Sequence, residues 1–170
     1  MSQSLSAVYI HLVFSTKERR PFLRDQKFRH SVHAYLGSVS KQLDCPPLLV
    51  GGVEDHVHLL CRFGRTLTQA DWIKELKRVS SLWIKEQRRD LSEFQWQGGY
   101  ADFGVSQSNL DPVIGYIGKQ EEHHKKVSFQ DELRRRSVST IWNGTSVTFG
   151  INHGERLGLR HKPFRLVDVL

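Results

Sequence analysis

A chain of 170 residues is long enough to bury one real core, and 38% apolar with 25% charged residues excludes a disordered polymer. A net charge of +7 with a pI near 9.6 favours an acidic partner: DNA, RNA or a membrane surface. The N-terminus lacks the pattern of a signal peptide and no apolar stretch could span a bilayer, so a cytoplasmic protein is expected.

In chain order, Val8, Ile10, Leu12 and Phe14 alternate, which predicts a first strand near residues 6 to 15. A basic loop follows, Lys17-Glu18-Arg19-Arg20-Pro21. Phe28, Val32, Tyr35, Leu36, Val39 and Leu43 recur at helical spacing and predict a helix near 25 to 43, ended by Pro46-Pro47. Leu48 to Val53 and Val57 to Phe63 read as two strands joined by a turn at Glu54-Asp55. Of the two cysteines, Cys45 and Cys61, the second continues an apolar run and reads as a buried thiol; without CxxC spacing nothing suggests a secreted disulfide framework. Thr68 with Asp71 resembles a capping box and opens a helix near 69 to 89, with Trp72, Leu76, Val79 and Trp83 as its inner stripe. Gly98 to Val105 reads as a fourth strand, and Asp111 is placed to cap a last helix with Pro112 at its first position.

The order strand, helix, strand, strand, helix, strand predicts an α+β, ferredoxin-like sandwich: an antiparallel sheet with helices on one face. A C-terminal helix is appended to it.

Two short patterns carry chemistry. His56-Val57-His58 lies on the third strand, where alternation sends both imidazoles to one face, half of a metal site. Two strand histidines that are merely hydrogen-bonded satisfy the same spacing. About one hundred and seventy residues are too few for the large hydrolase barrels that also use such pairs, which need at least about 200. Tyr116 and Gln120, four apart on the last helix, share a side at the edge of the apolar face made by Leu110, Val113, Ile114 and Ile117. Gly115 and Gly118 flank the tyrosine, each at a cost of up to about 1 kcal/mol in helix stability, and suggest close approach of a ligand or a mobile helix.

These residues, with Tyr9-Ile10-His11-Leu12-Val13-Phe14-Ser15-Thr16-Lys17, Gly51 to Leu60 and His123 to Gln130, resemble the single-tyrosine transposases of the smallest bacterial insertion sequences, the IS200-like family. Their active site is named HUH for its His-hydrophobic-His pair. The resemblance spans roughly residues 7 to 133. It implies that Tyr116 is the nucleophile and that His56, His58 and Gln120 hold Mg²⁺ or Mn²⁺. It implies metal-dependent cleavage and rejoining of single-stranded DNA through a covalent 5′-phosphotyrosine. It further implies recognition of hairpins at element ends, and a homodimer with merged sheets whose tyrosine helix can complete the partner's site. The stretch Gly104 to Asn109 would then serve as hinge.

Lys17, Arg19 and Arg20 after the first strand, and Lys74, Lys77 and Arg78 on the second helix, are candidate phosphate contacts, as they are candidate solvated charges; Lys85, Arg88 and Arg89 extend the same series. Trp96 and Tyr100 suit stacking on unpaired bases or core packing. His123 and His124 read as solvated helix histidines. A catalytic domain is expected over residues 1–136. The remaining 137–170, with Arg134-Arg135-Arg136 before it, departs from the family's usual ending and reads as an extension of unknown role. Two other readings stand beside an active transposase. One is a domesticated relative that processes chromosomal palindromic repeats. The other is a non-catalytic DNA-binding relic.

Overall fold

The structure is a computed structural model and describes residues 5–120. The predicted 137–170 extension, His123 and His124 lie outside the described residues.

Four strands, β1 (Tyr9–Ser15), β2 (Pro47–Gly52), β3 (His56–Arg62) and β4 (Ala101–Val105), form one antiparallel sheet in the order β2-β3-β1-β4. Helices α1 (Gln26–Gln42) and α2 (Gln69–Gln87) pack together over one face, and α3 (Leu110–Gly118) follows β4 and packs on β2 and β3. This is the expected ferredoxin-like sandwich with its appended helix.

Alternation on β1 sends Ile10, Leu12 and Phe14 into the core beneath α1 and α2, against Val57, Leu59, Leu36, Trp72 and Leu76. The opposite face of β1 is also buried, through His11, Val13 and Ser15. The sheet is therefore covered on both sides at its centre, and the second side is where the histidines sit. Val8 is 48% exposed and lies outside the strand, which starts at Tyr9 rather than near residue 6.

Both helix starts on the core side are capped. The Asp25 carboxylate accepts from the Phe28 amide at 3.1 Å, and Thr68 Oγ1 accepts from the Asp71 amide at 3.1 Å. Thr68 also donates to Asp71 Oδ2 at 2.6 Å, so aspartate serves where a capping box usually has glutamate. The inner stripe of α2 differs from the predicted one. Trp72, Ile73, Leu76, Ser80 and Ile84 are buried, while Val79 and Trp83 are only partly so. Trp83 instead stacks on Tyr35 of α1 at 4.6 Å, and Ser80 is drawn inward because its hydroxyl bonds Leu76 O and accepts from Trp96 Nε1. The start of α3 also differs. A 3₁₀ turn over Gln107–Asn109 runs straight into Leu110, so Asn109 holds the cap position and Asp111 sits in the first turn. There its charge meets the positive end of the helix dipole.

Asp102, on the core face of β4, is buried, and its Oδ1 accepts no hydrogen bond among the described residues. Burial pushes its carboxyl up to about 6. A folded pKa above the unfolded one means the folded protein holds the extra proton, so stability falls as pH rises from about 4 through 6. Asp102→Asn is expected to raise stability by about 1–3 kcal/mol at pH 8 and by little at pH 4. Urea unfolding of both proteins at the two pH values measures this, and an equal effect at both refutes it.

Candidate active site

The antiparallel register pairs Ser15 with His56, Val13 with His58 and His11 with Leu60, so His11, His56 and His58 share the face away from α1 and α2. All three are buried. The His56 and His58 rings stand 5.0 Å apart and nearly perpendicular.

Each histidine of the pair is anchored through Nδ1. His56 Nδ1 lies 2.7 Å from Asp55 Oδ1, and His58 Nδ1 lies 3.0 Å from His11 Nε2. A neutral ring whose Nδ1–H donates to an acceptor offers Nε2 to a metal. For both rings to do so together, Asp55 and His11 must act as the acceptors. Sequence reasoning left that acceptor unnamed. Asp55 adjoins His56 in the chain, but His11 is 47 positions from His58 and only strand register reveals it.

Asp55 is the hub of a second contact. Its Oδ2 accepts from Arg19 Nε at 3.0 Å and from Nη2 at 2.8 Å. Burial raises the Asp55 carboxyl, but the hydrogen bond from His56 and the bonds and charge of the Arg19 guanidinium outweigh it and hold the pKa at about 2. The Arg19 loop is bent to reach it: Glu18 and Arg19 both adopt left-handed backbone, φ 55 and 54, at a cost of roughly 1 kcal/mol or more each. Thr16 locks the loop, its amide donating to Asp55 O at 2.9 Å and its hydroxyl donating to Arg20 O at 2.6 Å.

Tyr116 arrives from α3 on the same face of the sheet. Its ring meets His58 edge-on at 5.6 Å and His11 at 6.1 Å. The helix can come this close because β2 has glycine opposite His58. A Cβ on Gly51 would lie 2.7 Å from Ile117 Cγ2 and 3.2 Å from Ile117 O. A Cβ on Gly115 or Gly118 would meet nothing within 4 Å, so no part of the described chain requires glycine beside the tyrosine.

Gln120 lies just past the end of α3, buried, and its amide makes no hydrogen bond among the described residues. Among those residues no group of three His, Cys, Asp or Glu side chains is placed for a metal. Any third ligand to the histidine pair from residues 5–120 has to be of another kind, and a buried, unsatisfied amide fits.

The six predicted phosphate contacts divide. Lys17 and Lys74 are exposed. Arg19 belongs to Asp55, and Arg20 lies over the Phe22 ring and 3.5 Å from Glu93. Arg78 is held by Glu75 at 2.6 Å, and Lys77 is half-buried between backbone carbonyls. Arg88, from the wider series, is clamped by Asp90 and Asp25.

The profile of the family described as "Transposase IS200 like" matches residues 4–120. The chain belongs to the IS200-like transposase family. A crystal structure of a Deinococcus radiodurans R1 protein assigned as a transposase superposes on this transposase with a TM-score of 0.57. The two are 22% identical over 71% of this chain and 98% of that one. A REP-associated tyrosine transposase bound to a REP hairpin superposes with a TM-score of 0.55, at 14% identity over 94% of this chain and 100% of that one. At those identities the likeness establishes the fold. Comparison with curated proteins finds no match. No helix among the described residues is long and apolar enough to cross a membrane.

Two outcomes follow from this geometry. Asp55→Ala and His11→Phe each remove an anchor from one histidine and are expected to weaken Mn²⁺ binding about 10- to 100-fold, as read by electron paramagnetic resonance titration; unchanged affinity in both would show that Nδ1 anchoring is immaterial. Gly51→Ala must lift Ile117, and with it Tyr116, from the sheet. DNA cleavage is expected to slow about a hundredfold, and cleavage at the wild-type rate contradicts the close seating of α3.

Proposed function

We propose that this transposase cleaves and rejoins single-stranded DNA, with Tyr116 as nucleophile and His56, His58 and Gln120 as ligands of Mg²⁺ or Mn²⁺. The observation that carries the reading is the edge-on contact of the Tyr116 ring with His58, whose Nδ1 is already engaged. A tyrosine beside a buried histidine pair, in a basic protein of this family, is arranged for phosphodiester attack.

When bound, the ion supplies positive charge to a non-bridging oxygen of the scissile phosphate. The chain does the rest. Asp55 and His11 fix the histidine tautomers, and α3 holds the tyrosine oxygen for in-line attack on phosphorus. A Tyr116 O–P bond forms as the P–O3′ bond breaks, leaving a 5′-phosphotyrosine and a free 3′-hydroxyl that takes up a proton. The phosphotyrosine retains the bond energy, so attack by another 3′-hydroxyl rejoins the strand without a nucleotide cofactor. An unperturbed tyrosine has a pKa near about 10, so its proton must be drawn off in the transition state.

The partner proposed is single-stranded DNA carrying a hairpin, a reading supported by the REP hairpin in the like-folded complex. Lys17 and Lys74 are exposed and suit phosphate contacts to it. In the single chain Tyr116 meets its own His58; a homodimer that exchanges α3 through residues 104–109 would build the same site in trans. Residues 1–136 would form the catalytic domain, acting on DNA in the cytoplasm. A repeat-processing relative would use the same chemistry, and hairpin-ended multiple copies in the genome separate the two.

Purified protein, Mn²⁺ and labelled single-stranded DNA from the gene's flanks are expected to give an SDS-resistant adduct. Tyr116→Phe and chelator should each abolish it. Hairpin binding with no adduct on any flank would instead favour a non-catalytic relic.

A further inference from the structure

Away from the histidine face, a cavity of about 730 Å³ opens between the first half of α2 and the segment 95–100 that leads into β4. Lys74, Lys77, Arg78, Trp96, Gln97 and Tyr100 line it. Nothing in the cleavage chemistry above uses it.

Its chemistry is specific. Lys77 Nζ donates to Gln97 O at 2.9 Å and to Gly99 O at 2.6 Å, and it lies 5.2 Å from the Phe14 ring and 5.6 Å from the Tyr100 ring. An ammonium has three donors, so one remains for a ligand. No carboxylate among the described residues pairs with it. Burial lowers its pKa to about 8, as expected for a cation held away from water without a counter-ion. Lys74, Lys77 and Arg78 outnumber the carboxylates at this end of α2, Asp71 and Glu75, which are engaged by Thr68 and Arg78. Trp96 is a fixed wall: its Nε1 donates to Ser80 Oγ at 2.9 Å and its ring packs edge-on against Phe14 and Phe94, both at 4.8 Å. Tyr100 is partly exposed. A cation without a counter-ion beside two aromatic side chains suits a phosphate and a stacked base.

The cavity is also tied through backbone contacts to the loop after β1. Trp96 pairs with Thr16 just beyond β1, Lys17 N donates to Gln95 O, and Glu18 N donates to Gln97 Oε1. Thr16 N in turn donates to Asp55 O, beside His56. The cavity wall and the histidine turn thus meet at one end of the sheet, on opposite faces, across the loop that carries Lys17 and Arg20.

We infer that this cavity binds one unpaired nucleotide of the DNA strand being cut, its base against Trp96 and Tyr100 and its phosphate on Lys77. This rests on the single-stranded DNA reading above.

The test is an abasic scan with the full chain. Each nucleotide of a flanking oligonucleotide is replaced in turn by an abasic one, and binding is read by fluorescence anisotropy. One position is expected to weaken wild-type binding about tenfold or more. The same position should have a clearly smaller effect on Tyr100→Ala, which has lost part of the stacking wall, whereas Lys77→Met, which loses the phosphate contact, should bind the intact strand less tightly and keep the abasic-sensitive position. Thermal unfolding and far-ultraviolet circular dichroism check that the variants remain folded. Equal abasic effects at that position in wild type and Tyr100→Ala, or undiminished binding by both variants, would overturn the inference. So would displacement of the strand by micromolar deoxynucleoside monophosphate without any abasic-sensitive position, which marks a free-nucleotide site. Loss of the Tyr116 adduct in wild type, with the abasic pattern intact, counts against the cleavage reading alone.

Discussion

The antiparallel pairing of β1 with β3 is the constraint on which the rest of the molecule depends. Its register sends Ile10, Leu12 and Phe14 with Val57 and Leu59 to the helices, and His11 with His56 and His58 to the other face. A slip of one residue would put imidazoles into the apolar core and apolar side chains beneath α3, so the core enforces the register that the site needs. The proposed chemistry therefore sits at the centre of the sheet, where ring positions are held by packing on both sides.

A buried imidazole pair is costly unless its nitrogens are satisfied, and the surrounding structure is arranged around that cost. Asp55 holds one ring and His11 the other, Arg19 neutralises Asp55, and a strained two-residue turn at Glu18-Arg19 lets the guanidinium reach. The buried Gln120 amide and the close seating of Ile117 on Gly51 both follow closely after Tyr116 in the chain, a polar group unsatisfied among the described residues and a tight contact at one place.

Much of the fold was legible because its signals are local. The alternation of Ile10, Leu12 and Phe14, the cap at Thr68 and the His56-Val57-His58 spacing each report a period or a hydrogen bond within a few residues. What was not legible is non-local. The His11–His58 bond depends on register, and the turn of α2 depends on Ser80 finding Trp96 and Trp83 finding Tyr35. The burial of Lys77 depends on carbonyls twenty and more positions away. The six basic candidates looked alike in sequence because charge carries no information about which carboxylate is near. Arg19 and Arg78 turn out to serve Asp55 and Glu75. Motif likeness reached the tyrosine and the histidine pair, but not the residues that orient them.

Mass spectrometry of the trapped complex shows whether Tyr116 carries the strand during transfer. After nuclease and trypsin digestion, a nucleotide joined through its 5′-phosphate is predicted on the peptide that contains Tyr116. Linkage at another residue such as Tyr9 or Tyr100, or through a 3′-phosphate, would contradict the assignment of nucleophile or of strand polarity.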